Sequence, residues 1–122
     1  MLTNLVLTKT EKLCQQFSFK RTCSNISYVC SMIVLSNDSA KITFSIEEME
    51  WFIDVDIEFY NTLDGKIKKV RKEDIFDQEK SQILYLRKKV LRSFRKTTRD
   101  KLLGDMLDEY IAIVHNILIE QI

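Results

Sequence analysis

The sequence predicts an α+β fold: a three- or four-stranded antiparallel β-meander, then a packed helix and a C-terminal helical arm. Three observations carry this reading. The first 45 residues alternate apolar and polar side chains with the period of half-buried strands. A helix-capping pattern opens at Ser45, and from Asp77 onward apolar residues recur every three or four positions. With no proline and two glycines in 122 residues, little interrupts long elements.

The first strand is read in KLCQQFSFKR, where Leu13, Phe17 and Phe19 alternate with Gln16, Ser18 and Lys20. LVLT near the start could add another. ISYVCSMIVL alternates similarly, placing Ile26, Tyr28, Cys30, Met32 and Val34 on one face. TCSN before the strand core and SNDSA after it carry turn chemistry. KITFSI then puts Ile42, Phe44 and Ile46 on the apolar face.

The stretch IEEMEWFIDVDIEFY admits two readings. As a helix, Ser45 is the N-cap and Glu48 completes the capping box, with Ile46, Met49, Ile53, Ile57 and Tyr60 in one stripe. Trp51, Phe52, Val55 and Phe59 widen the apolar arc beyond what one sheet covers, which implies a second surface. As a strand, IDVDIEF alternates without error, NTLDGK is a hairpin turn and KIKKV returns. The cap favours the helix, and the alternation favours the strand.

In the arm, Ile83, Leu86, Val90 and Phe94 share a face, and Leu103, Met106, Leu107, Tyr110, Val114 and Ile117 continue it. Thr97 followed by Asp100 could cap a new helix, so a bend or one long rod are both open. The organisation is a core of residues 1–64 and a basic arm of residues 65–122 with an apolar C-terminal segment, packed as one domain.

Charge is the most informative compositional feature. The net charge of +1 hides segments of +3 (1–45), −7 (46–65), +9 (66–101) and −4 (102–122). Such uneven patches point to a polyanionic partner or to electrostatic self-assembly. Between Lys80 and Arg99 there are eight basic residues and no acidic one. Lys88, Arg92, Arg95 and Arg99 are spaced four, three and four, so a helix would align them, with Lys96 beside them. Like charges at that spacing repel, which implies a compensating anion. Phosphate backbone fits, and so do the acidic residues Glu47, Glu50, Asp54 and Glu58 of the same or a second chain. Lys20, Arg21 and Lys41 are further candidate phosphate contacts on the sheet.

Chemistry is otherwise sparse. His115 has no nucleophile at a recognisable spacing, no glycine-rich phosphate loop exists, and Asp54, Asp56 and Glu58 make a poor metal set. The expectation is no catalytic residue, no metal and no cofactor. Cys14, Cys23 and Cys30 are odd in number and lack paired spacing, which suits a reducing intracellular location and small hydrophobic roles. No membrane span or secretory leader is expected.

Lys-Ile-Thr-Phe-Ser followed by Ile-Glu-Glu-Met-Glu-Trp resembles the positive cofactor four family of transcriptional coactivators over residues 12–63. Ser45, Glu47, Glu48 and Trp51 are the matching positions. The resemblance implies a curved antiparallel sheet, a following helix that pairs across a dimer, and single-stranded DNA binding. It departs where SNDSAK replaces a glycine and lysine cluster, and the arm from residue 77 has no counterpart. The combined expectation is a non-enzymatic, homodimeric nucleic-acid-binding protein favouring single-stranded DNA, nuclear, and acting as a transcription or replication cofactor. Trp51, Val55, Phe59, Leu103, Leu107, Tyr110 and Val114 would form the dimer interface. The alternative is an interaction or oligomerisation module without nucleic acid.

Overall fold

A computed structural model describes residues 2–60, 63–71 and 80–121, with side chains from residue 83 in the last segment. The elements run α1 (Leu2–Phe17), β1 (Lys20–Asn25), β2 (Cys30–Ser36), β3 (Ala40–Glu47), β4 (Phe52–Tyr60), β5 (Ile67–Lys69), α2 (Lys80–Arg92) and α3 (Lys96–Gln121). The fold is α+β. The strands form one antiparallel sheet in sequence order, β1-β2-β3-β4-β5.

The N-terminal strand expected around Leu13 to Phe19, and the one at LVLT, are instead the helix α1. Its buried residues Leu2, Val6, Thr10 and Leu13 follow helical spacing, and a threonine inside that stripe hides the period. The Thr10 hydroxyl donates to the Val6 carbonyl at 2.8 Å, which satisfies a buried polar group within the helix. Ser18 ends the helix in the left-handed region at φ 55°, and the Phe19 amide donates back to the Cys14 carbonyl.

TCSN, expected as a turn, belongs to β1, and the turn lies one step later, where the Ile26 amide bonds the Cys30 carbonyl. In β2 the buried residues are Ser31, Ile33 and Leu35, so the expected inward face of Met32 and Val34 is the outward one. Ile26 and Tyr28 are exposed. SNDSA does turn the chain: the Asn37 side-chain oxygen accepts from the Ser39 and Ala40 amides at 2.8 and 2.9 Å. In β3, Ile42, Phe44 and Ile46 face inward as expected.

The residues of the proposed helix form the end of β3, a turn and β4. Ser45 pairs with Asp54 across the β3–β4 ladder, so it caps nothing. Alternation wins over the capping pattern because Ile53, Val55 and Ile57 complete the sheet's inner face. Of the NTLDGK turn, residues 61 and 62 lie outside the described set. Asp64 accepts from the Lys66 amide, and Gly65 takes φ 69°, a conformation glycine adopts without strain. The expected helical start at Asp77 is also outside the described residues. The arm bends at residues 93–95, and α3 restarts at Lys96 with the Arg99 amide bonded to the Arg95 carbonyl.

A single hydrophobic cluster joins the inner sheet face to α1, α2 and α3. Lys9 pairs with Asp108 at 2.8 Å between α1 and α3, and Phe17 meets His115 edge-on at 5.9 Å. The Tyr110 hydroxyl donates to the Ile53 carbonyl at 3.0 Å, fixing α3 to β4.

Candidate nucleic-acid interface

The basic residues of the arm gather at the elbow between α2 and α3. Ile83, Leu86 and Val90 commit one side of α2 to the core, so the remaining side must face out. Lys88 and Arg92 lie on that side, Arg95 lies in the bend and Lys96 opens α3; all four are exposed. Of the two readings left open, a bend or one long rod, the helix is interrupted at residues 93–95, so the aligned cations form a bent cluster.

Hydrophobic side chains stand among these cations. Phe94, expected to continue the buried stripe, is 101% exposed because the helix has ended before it. Tyr85 is 55% exposed, with the Lys89 ammonium 4.5 Å from its ring centroid. Leu84 and Leu91 are exposed as well.

Arg99 departs from the cluster. Its guanidinium lies 4.3 Å from the Trp51 ring, while Arg87 lies at the same distance over Phe52. Trp51 of the β3–β4 turn and Phe52, the first residue of β4, thus receive one arginine from each arm helix. Both Nε atoms are buried and make no hydrogen bond. Trp51 itself sits at φ 53°, a strained setting for a bulky side chain. The stack provides attraction that helps hold it there.

Among the described residues, no carboxylate comes within 4.0 Å of Lys88, Arg92, Arg95, Lys96 or Arg99; the ion pairs there are Lys9–Asp108, Arg21–Glu11 and Lys69–Glu58. Among the described residues, then, the acidic groups Glu47, Glu50, Asp54 and Glu58 do not neutralise these cations by direct ion pairs.

The sheet candidates do not join them. Arg21 is spent on α1: its guanidinium donates to the Leu7 carbonyl and the Thr10 hydroxyl and pairs with Glu11 at 3.2 Å. Lys41 stands opposite Glu58, and Lys20 opposite Ser36, in one row across the sheet. That row is six residues along β4 from Phe52, roughly 20 Å at strand rise. Lys20 and Lys41 thus belong to the far end of the sheet from the elbow.

The expected dimer interface is mostly interior. Val55, Leu103, Leu107, Tyr110 and Val114 are at most 5% exposed because they form the chain's own core. Trp51 and Phe59 are half-buried and pack against it.

A cleft of about 350 Å³ adjoins the elbow. Leu5 and Leu103 line it, Trp51 adds an aromatic surface, and Thr8, Asp100 and Lys96 give it polar edges. Sequence reasoning missed this cleft because α1 was read as a strand, and only a helix brings Leu5 and Thr8 to α3.

Among the described residues, no group of His, Cys, Asp and Glu could hold a metal ion, and no helix is long and apolar enough to cross a membrane. The three cysteines are free; burial raises the Cys14 thiol above its ordinary value against the nearby Arg21 charge. Compared with known proteins, the chain matches no family model, no curated protein and no solved structure.

Proposed function

We propose that the chain binds single-stranded nucleic acid through the α2–α3 elbow. Lys88, Arg92, Arg95 and Lys96 neutralise phosphates, and Phe94 and Tyr85 offer rings to unstacked bases. The observation that carries this reading is the fully exposed Phe94 ring set among cations with no carboxylate neighbour among the described residues. An exposed ring beside cations is free to stack, and a single strand supplies both flat faces and the negative backbone. A duplex would use the cations but leave the ring idle. Binding of this kind suits a non-enzymatic cofactor of transcription or replication.

The test is fluorescence anisotropy of labelled single- and double-stranded oligonucleotides over a range of salt. Four phosphate contacts on a single strand give a log–log salt slope near −3, at about −0.7 each. Arg92→Glu with Arg95→Glu should remove about half of that slope. Absence of binding at low salt refutes the proposal.

A second reading is an interaction module, supported by Leu84 and Leu91, which a polynucleotide would leave uncovered. Light scattering that finds a stable dimer, together with no oligonucleotide binding, selects it.

A further inference from the structure

We infer that the cleft between α1, Trp51 and α3 is a pocket for a single nucleobase, with a preference for guanine. The inference rests on the single-strand reading, because Lys96 belongs to both surfaces: it edges the cleft and stands in the cationic elbow. A strand whose phosphates follow the elbow therefore passes the mouth of the cleft.

The cleft's size and lining specify the ligand class. About 350 Å³ lies at the lower end of the roughly 300–1,000 Å³ typical of small-molecule sites, enough for one base and its sugar. The Trp51 indole is a flat wall for a flat ligand. Arg99 lies over its ring at 4.3 Å, which helps fix the wall in place. Leu5 and Leu103 give an apolar surface for the base's other contacts.

The polar edge then discriminates between bases. Asp100 presents a carboxylate, which accepts hydrogen bonds only. The Thr8 hydroxyl donates to the Asn4 carbonyl at 3.0 Å, which leaves it only acceptor capacity to offer a ligand. Asn4 also lines the cleft, and its amide can donate to a carbonyl, so the whole edge suits a base with adjacent donors beside a carbonyl. Guanine offers N1–H beside its exocyclic amine, a pair that a carboxylate accepts side by side. Uracil and thymine offer one N–H flanked by two carbonyls, which Asp100 repels. Lys96 supplies a donor for a phosphate or a base carbonyl at the same rim.

Trp51 is the only tryptophan of the chain, so its fluorescence reports the cleft directly. The full-length chain is titrated with guanosine, uridine and ribose 5-phosphates, with correction for nucleotide absorbance. Saturable quenching by guanosine monophosphate is expected, weaker quenching by uridine monophosphate, and none by ribose phosphate. Thr8→Phe, at an exposed helical position, fills the cleft and should abolish the quenching. Asp100→Ala should erase the preference for guanosine over uridine and leave circular dichroism unchanged. In parallel, an oligonucleotide with one guanine should bind roughly tenfold more tightly than its abasic counterpart.

No quenching by guanosine monophosphate, with salt-dependent oligonucleotide binding that ignores the abasic change, overturns the base pocket and spares the elbow. Quenching that Thr8→Phe removes, in a chain that binds no oligonucleotide, overturns the elbow and spares the pocket. Quenching that survives Thr8→Phe in a folded variant places the nucleotide elsewhere and overturns the pocket.

Discussion

The Glu48 carboxylate lies 2.8 Å from the Thr3 amide nitrogen, so a side chain in the β3–β4 turn caps a helix 45 residues earlier. The oxygen involved, Oε1, also accepts from the Thr3 hydroxyl at 2.7 Å, and Oε2 accepts from the Leu2 amide at 2.9 Å. The helix start is thereby satisfied by a distant carboxylate rather than by a local cap.

Burial alone would raise the Glu48 carboxyl, but the hydrogen bonds from Thr3 and Leu2 prevail and hold it below the ordinary value of 4.5. The folded state thus favours the ionised form, so the stabilisation is present above pH 4.5 and is lost as pH falls through the lowered folded value. Glu48→Gln should cost about 1 kcal/mol at neutral pH, in the range of lost N-caps. Urea denaturation at pH 7 and pH 3.5 should show a larger acid loss for the native chain than for the variant.

Tyr110→Phe removes the donor to the Ile53 carbonyl and should cost about 0.5–1.5 kcal/mol. Burial, aided by the Asp54 charge, pushes the Tyr110 hydroxyl up to about 12. The fold therefore favours the neutral phenol, and its contribution is full below about pH 10 and fades as pH rises toward 12. Denaturation between pH 9 and 12 should show a shallower decline for the variant.

Arg99→Ala should weaken the hold on the β3–β4 turn by about 0.5–2 kcal/mol and shift Trp51 emission to the red. Arg99→Lys should restore little, because an ammonium lacks the flat face that stacks on indole. Emission spectra and denaturation midpoints of the two variants check this.

Phe94→Ala should leave stability within about 0.5 kcal/mol, since the ring is buried against nothing in the chain. Single-strand affinity should fall by about 1–3 kcal/mol and duplex affinity should hold. Calorimetric melting and anisotropy on the same preparation separate the two effects.

The sequence made some of this legible and concealed the rest for identifiable reasons. Ile42, Phe44 and Ile46 were readable because β3 alternates cleanly, and Ile83, Leu86 and Val90 because helical spacing is unambiguous there. β2 misled in phase: Met32, Ile33, Val34 and Leu35 are all apolar, so alternation cannot choose a face. α1 misled because Thr10 interrupts its apolar stripe while Leu13, Phe17 and Phe19 mimic a strand. Glu48 is the most instructive case, since it does cap a helix start, but that of α1 rather than one beginning at Ser45. The cationic elbow was visible as charge and its bend was one of two open readings, signalled by Thr97 and Asp100; the exposure of Phe94 was not legible, because no proline or glycine marks residues 93–95.

Every strand of this sheet pairs with its neighbour in sequence, so most of the β structure can zip up through short loops. The first helix is different. During synthesis its leading turn emerges from the ribosome well before Glu48 exists to receive it, and nascent α1 must wait for two hairpins' worth of chain. Because α1 also packs on α3, stalled chains that have not yet released α3 from the ribosome should leave α1 accessible to protease, and the released full chain should protect it.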